Sequence, residues 1–110
     1  MFQKFIATML IAIAVLTNTH LAIADDLGET VFSANCVGCH VNGGNIIRRG
    51  KNLKSKALKR NHYDTSEAIV SLVNNGKGTM PAYSDRLTEE EITAVSHYVL
   101  ERAANNWQKN

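Results

Sequence analysis

The segment Cys36-Val37-Gly38-Cys39-His40 constrains this chain more than any other. Its pattern is C-x-x-C-H, the attachment signature of a c-type haem. The spacing has a mechanical basis. Positions i and i+3 share one face of a helical turn, so Cys36 and Cys39 can present two sulfurs to the two vinyl groups of one porphyrin. His40 then leans over the same face toward the metal, and a neutral imidazole is a good iron ligand.

Two other readings of the cysteine pair compete with this one. A disulfide between Cys36 and Cys39 would close a tiny loop and staple nothing distant. A thioredoxin-like redox pair needs strands alternating with helices, and no strand-rich stretch surrounds the motif. His40 in the next position favours haem.

The first residues bear on where the cysteines operate. Lys4 supplies a positive charge, Phe5 to Leu16 form an apolar run, and Ala22-Ile23-Ala24 is a small-x-small cleavage site. Together, residues 1–24 read as a secretory signal peptide that is removed. A retained anchor helix is the alternative, but the run falls short of the ~20 residues that span a bilayer. Cleavage after Ala24 leaves Asp25 to Asn110, an exported chain of 86 residues. No second apolar stretch of membrane length follows, so the mature protein is expected to be soluble, without stable membrane insertion. Loss of Lys4 leaves eleven basic and ten acidic side chains, a balance that does not suit bulk nucleic-acid binding. Only five large aromatics remain: Phe32, Tyr63, Tyr83, Tyr98 and Trp107. A core that thin often needs a staple or a cofactor.

Along the mature chain the elements are helical. Asp25 or Asp26 can cap a helix over Leu27 to Asn35, with Val31 and Phe32 on its apolar side. Gly28 lies four residues before Phe32 on one face, and a glycine inside a helix points to close approach of a crossing helix. Gly43-Gly44 breaks any helix that carries the cysteines. A loop follows, with a short helix near Ser55 to Lys59 and with Ile46, Ile47, Leu53 and Leu58 as buried anchors. Asp64-Thr65-Ser66-Glu67 resembles a capping box opening a helix to Asn75, with Ile69, Leu72 and Val73 on its buried face. Thr88-Glu89-Glu90-Glu91 opens a last helix ending near Ala104, whose inner stripe is Ile92, Val95, Val99 and Arg102/Ala103. The expected fold class is all-α.

One residue offers the second half of an iron site. Met80 is the only methionine after the leader, in a loop directly before the only proline, Pro81. The proline holds Met80 extended and forbids a continuing helix, so the thioether comes from a held loop. A core-filling methionine is the competing reading, but such residues sit on periodic helix faces. His62 and His97 are weaker candidates: the first reads as a solvated or capping residue, the second as the edge of the last helix. Ligation by His40 and Met80 would saturate the iron, raise its potential and suit one-electron transfer rather than oxygen chemistry.

Several stretches carry a resemblance to a known family. These are Phe32-Ser33-Ala34-Asn35-Cys36 running into Cys39-His40, the loop Asn75 to Tyr83, and Tyr98-Val99-Leu100 followed by Trp107. On them the chain resembles the class I c-type cytochromes, and within these the cytochrome c6 (cytochrome c-553) family. The resemblance implies about four helices wrapped around one haem, with crossing N- and C-terminal helices. It implies thioethers at Cys36 and Cys39 and axial ligands at His40 and Met80. It implies a monomeric electron carrier, not an enzyme, in the thylakoid lumen or periplasm, moving electrons from the cytochrome b6-f complex (cytochrome f) to photosystem I. A respiratory or periplasmic carrier serving a terminal oxidase or a dehydrogenase is the alternative. Thr79 and Tyr83 depart from the Ala and Phe more usual in the family. So does a run of seven cations from Arg48 to Arg60 with no acid among them, which reads either as a solvated face or as a docking surface for an acidic partner.

Overall fold

A computed structural model of the chain describes residues 26–109. The signal peptide expected over residues 1–24, and Asp25 as a helix cap, lie outside the described residues. Four α-helices follow one another: α1 over residues 26–35, α2 Ser55–Arg60, α3 Ser66–Asn75 and α4 Glu89–Ala104. Short 3-10 turns occupy Val41–Gly43 and Arg49–Lys51. Among the described residues the only β pairing is an isolated antiparallel bridge between Lys77 and Met80, so the fold is all-α as expected.

The frame is the crossing of α1 over α4. Gly28 is buried at that crossing, and a side-chain carbon there would lie 2.6 Å from the Ala94 carbonyl oxygen and 2.7 Å from Tyr98 Cβ. The bare backbone is what lets the two helices meet. One turn later Phe32 packs on Tyr98 and Trp107, with ring centroids 5.4 Å and 5.2 Å away. Tyr98 and Trp107 meet edge to face at 6.1 Å. Tilted and edge-on contacts of this kind suit aromatic quadrupoles and add to the area they bury.

The caps explain where the later helices begin. Thr88 accepts the Glu91 amide at 3.1 Å, and the Glu91 carboxylate accepts the Thr88 amide at 3.0 Å, so the expected capping box is present. Three glutamates in the first turn also complement the helix dipole. The expected box at Asp64 is displaced. The cap of α3 is Thr65, whose hydroxyl accepts the Ala68 amide at 3.2 Å. Glu67 therefore sits too early in the helix to return a bond to the cap. The buried side of α4 is Ile92, Val95, Ser96, Val99 and Ala103. Ser96 was not expected there; it is fully buried because its hydroxyl donates to the Ile92 carbonyl at 2.7 Å.

The segment between α1 and α3 corrects one expectation. Leu58 is buried and Leu53 is partly buried against the core, but Ile46 and Ile47 are 65% and 55% exposed. The cause is Asn45. Its carboxamide oxygen accepts the amides of Ile47 at 3.0 Å and Arg48 at 2.8 Å, and its nitrogen donates to the Lys51 carbonyl at 3.0 Å. This Asx-turn folds the chain on itself and leaves both isoleucines outside.

Tyr83 is a tie between distant segments. Its amide donates to the Val73 carbonyl at 2.8 Å, and its hydroxyl donates to the Asn35 carbonyl at 3.1 Å. The loop after α3 is thereby bonded to the end of α1. Burial raises its phenol pKa above the ordinary value, and the Arg86 guanidinium over its ring partly opposes that rise.

Two outcomes are expected. Gly28→Ala gains helix propensity of ~1 kcal/mol yet should destabilise the folded protein by about 1–3 kcal/mol through overpacking. A rise in its thermal midpoint would show that α1 and α4 are not in close contact. Tyr83→Phe should cost about 0.5–1.5 kcal/mol by chemical denaturation, and an unchanged midpoint would show that the bond to Asn35 contributes nothing.

Candidate haem site

The four helices leave one largely apolar cavity between them, of about 390 Å³. Phe32 of α1, Leu58 of α2, Ile69, Leu72 and Val73 of α3, and Val95 and Val99 of α4 supply its walls. Leu72, expected in the packed core, faces this space instead and is only half-buried. Asn45, Arg48, Lys51, Asn52, Asn61 and Lys77 add a polar and cationic portion of the lining. Three of the four site residues expected from the sequence meet here: Cys36, His40 and Met80 all line the same cavity.

The C-x-x-C-H segment is a run of turns continuing α1 rather than a full helix. The Cys36 and Val37 amides still donate to the Phe32 carbonyl, at 2.8 Å and 3.1 Å. The Cys39 and His40 amides then donate to the Cys36 carbonyl, at 3.3 Å and 2.9 Å. Cys36 is half-buried on the cavity wall, while Cys39 is exposed and lies outside the lining. Burial, and secondarily the neighbouring Cys39, pushes the Cys36 thiol up to about 11. A reactive redox cysteine has the opposite shift.

The imidazole of His40 is fixed by its own loop. Its Nδ1 lies 2.8 Å from the Gly44 carbonyl oxygen. A carbonyl can only accept, so Nδ1 carries the proton. In the neutral ring Nε2 is then left with its lone pair, the form in which a histidine binds a metal. In the sequence Gly43-Gly44 marks only a helix break; the acceptor is a backbone atom and has no residue signature.

Met80 is held by backbone bonds. The amides of Lys77 and Met80 donate to each other's carbonyls at 3.0 Å, closing a tight turn with Gly78 first of its two central residues. Gly76 ends α3 with φ 67° while its amide donates to the Leu72 carbonyl at 2.7 Å. A side-chain carbon at Gly76 would stand 2.6 Å from the Met80 carbonyl oxygen, so only glycine allows the loop to fold back this closely. His62 and His97 are exposed and line no part of the cavity.

These residues fit a haem. An imidazole with a free Nε2, a thioether, a cysteine on the wall, apolar sides and cations for propionates are the donors and surfaces that such a group needs. Among the described residues no cluster of three or more histidine, cysteine or acidic side chains offers a site for another metal. No helix among them is long and apolar enough to cross a membrane.

Comparison with known proteins agrees with this chemistry. The family model described as cytochrome c oxidase, cbb3-type, subunit III matches residues 24–99. Cytochrome c6-like of Nostoc sp. is 50% identical over 96% of this chain and 99% of its own length. Cytochrome c6 of Thermosynechococcus vestitus is 44% identical over 97% of this chain and 98% of its own length. Among solved structures, cytochrome c6C from Synechococcus sp. PCC 7002 superposes with a TM-score of 0.70 at 56% identity, covering 72% of this chain and 96% of that one. An all-α chain with this cavity and these relatives belongs to the cytochrome c6 family, and is a c-type cytochrome that carries electrons on covalently bound haem c.

Proposed function

We propose that Cys36 and Cys39 form the haem thioethers, that His40 and Met80 are the two axial iron ligands, and that the protein carries single electrons from the cytochrome b6-f complex to photosystem I. The observation that carries the ligand assignment is the meeting of His40, with Nδ1 committed to Gly44, and Met80 in one apolar cavity. The haem supplies an iron centre that takes up and gives back one electron. The chain's own residues set the conditions. The Gly44 carbonyl holds the imidazole in one tautomer and orientation. The turn from Lys77 to Met80 holds the thioether where the loop places it, which limits rearrangement between oxidation states. The apolar walls keep bulk water from the metal. With both axial positions filled by the protein, the iron offers no site for oxygen, and the protein acts as a carrier rather than an enzyme.

The reading of the partners rests on the cytochrome c6 relatives. It places the mature, monomeric protein in the thylakoid lumen or periplasm, after removal of residues 1–24. The exposed cations from Arg48 to Arg60 give it a surface suited to steering toward an acidic partner. The description of the matching family model favours a second reading, a respiratory carrier that donates to a terminal oxidase.

The ligand assignment is tested with carbon monoxide. The reduced wild-type protein should leave it unbound at neutral pH, whereas reduced Met80→Ala should bind it readily. Rapid binding by the wild type, or a ligand-field spectrum unaltered by Met80→Ala, removes Met80 from the iron. The partner assignment is tested by flash photolysis. Reduction of photo-oxidised photosystem I should slow with added salt, and Arg49→Gln with Lys56→Gln should lower the rate about tenfold at low ionic strength. No reduction at any ionic strength, with turnover of a purified terminal oxidase instead, would transfer the assignment to the respiratory reading.

A further inference from the structure

The chain after α4 contains the least expected backbone in the molecule. Asn106 and Trp107 have φ of 59° and 57°, two consecutive non-glycine residues in the left-handed region. That conformation is strained for a residue with a side chain and persists only where its surroundings hold it. Here the Trp107 amide donates to the Arg102 carbonyl at 2.7 Å and the Asn106 amide to the Ala103 carbonyl at 3.1 Å. The chain reverses on the end of α4 and throws the indole back across the fold.

The indole lands on the loop that holds His40. Gly43 is buried with φ 77°, and any side-chain carbon at that position would stand inside the Trp107 ring. The next residue is Gly44, whose carbonyl accepts the His40 Nδ1 proton. A second link closes the connection. Trp107 Nε1 donates to the Leu53 carbonyl at 2.9 Å, and the Leu53 amide donates to the Gly43 carbonyl at 2.8 Å. The ring therefore presses on Gly43 directly and is bonded to it through Leu53. It also packs against Phe32 of α1 and Tyr98 of α4, which belong to the crossed helices rather than to the loop.

We infer that Trp107 is a positioning residue for His40: it clamps Val41 to Gly44 against the α1–α4 frame and so fixes the carbonyl that sets the imidazole. The strained tail is the cost of bringing the clamp to the loop. The inference rests on the reading of His40 as an iron ligand. A ring that merely fills the core would stabilise the whole fold. A clamp protects one hydrogen bond selectively.

Hydrogen exchange by NMR on the reduced, haem-loaded protein separates these roles, because local openings and global unfolding expose different protons. Trp107→Ala should speed exchange of the His40 Nδ1 proton and of the Gly44 amide about tenfold, while the Val73 amide of α3 keeps its wild-type rate. Trp107→Phe keeps an aromatic ring on Gly43 and loses the bond to Leu53; about threefold acceleration at the same protons is expected. Gly43→Ala should reproduce the Trp107→Ala pattern from the other side of the contact. If Trp107→Ala does not fold, Trp107→Phe alone decides. Unchanged exchange at His40, or acceleration that matches Val73, overturns the inference. Ring-current shifts of the His40 imidazole protons report its ligation independently, so failure of the ligand assignment shows there and failure of the clamp shows in the rates.

Discussion

The contact on which this structure depends is the crossing of α1 and α4 at a residue with no side chain. Gly28 lets the Ala94 carbonyl and Tyr98 approach to distances at which any larger residue would collide. Everything else is arranged from that contact. It brings Phe32, Tyr98 and Trp107 into one aromatic cluster. It also puts α1, and hence Cys36 and His40 beyond its end, over the same space that Val95 and Val99 of α4 face. A glycine in mid-helix gives up ~1 kcal/mol of propensity, and the packing of three rings and two helices offsets that loss.

The two proposed iron ligands are held by different physics. His40 depends on a short-range side-chain bond to a carbonyl four residues away, so its geometry is only as firm as the Val41 to Gly44 turn. Met80 depends on backbone bonds alone: the reciprocal pair with Lys77, the closure at Gly76, and the return of Tyr83 to Val73. Tyr83 then joins the two systems, because its hydroxyl reaches the Asn35 carbonyl just before the cysteine motif. A phenylalanine at that position can fill the same volume but cannot make the bond. Tyr83 therefore makes a direct polar link between the methionine loop and the cysteine turn that a phenylalanine there would lack.

What could be read in the sequence was whatever local spacing or chain-wide chemistry encodes. The C-x-x-C-H pattern, the lone methionine before the lone proline, the Thr88 capping box and the stripe on α4 are of this kind: the capping box forms, the stripe is buried with Ser96 added, and Cys36, His40 and Met80 line one cavity while Cys39 stays outside it. The errors are equally specific. Two adjacent oxygens, of Asp64 and Thr65, could each have capped α3, and pattern alone did not choose between them. Hydrophobicity alone marks Ile46 and Ile47 as anchors, but the carboxamide of Asn45 decides their direction. The Gly44 acceptor and the docking of Trp107 on Gly43 involve backbone atoms or partners more than sixty residues apart, and neither leaves a periodic trace.

The surface and the interior are organised for separate purposes. The seven cations between Arg48 and Arg60 are all exposed, and exposed charges act over a Debye length of about 8 Å in physiological salt. At such a site they speed encounter more than they tighten a complex. Two of them are tied to neighbouring segments. Lys51 donates to Asn61 at 3.1 Å, Arg60 to the Gly50 carbonyl at 3.1 Å, and Asn61 to that same carbonyl at 2.9 Å. These bonds join the segment of chain before α2 to its C-terminal end. Arg48 and Lys51 belong both to this patch and to the lining of the cavity. A carrier must meet its partner loosely and hold its metal tightly. Here the two demands meet in a single segment, whose outer face is charged and whose inner face is anchored by Leu53 and Leu58.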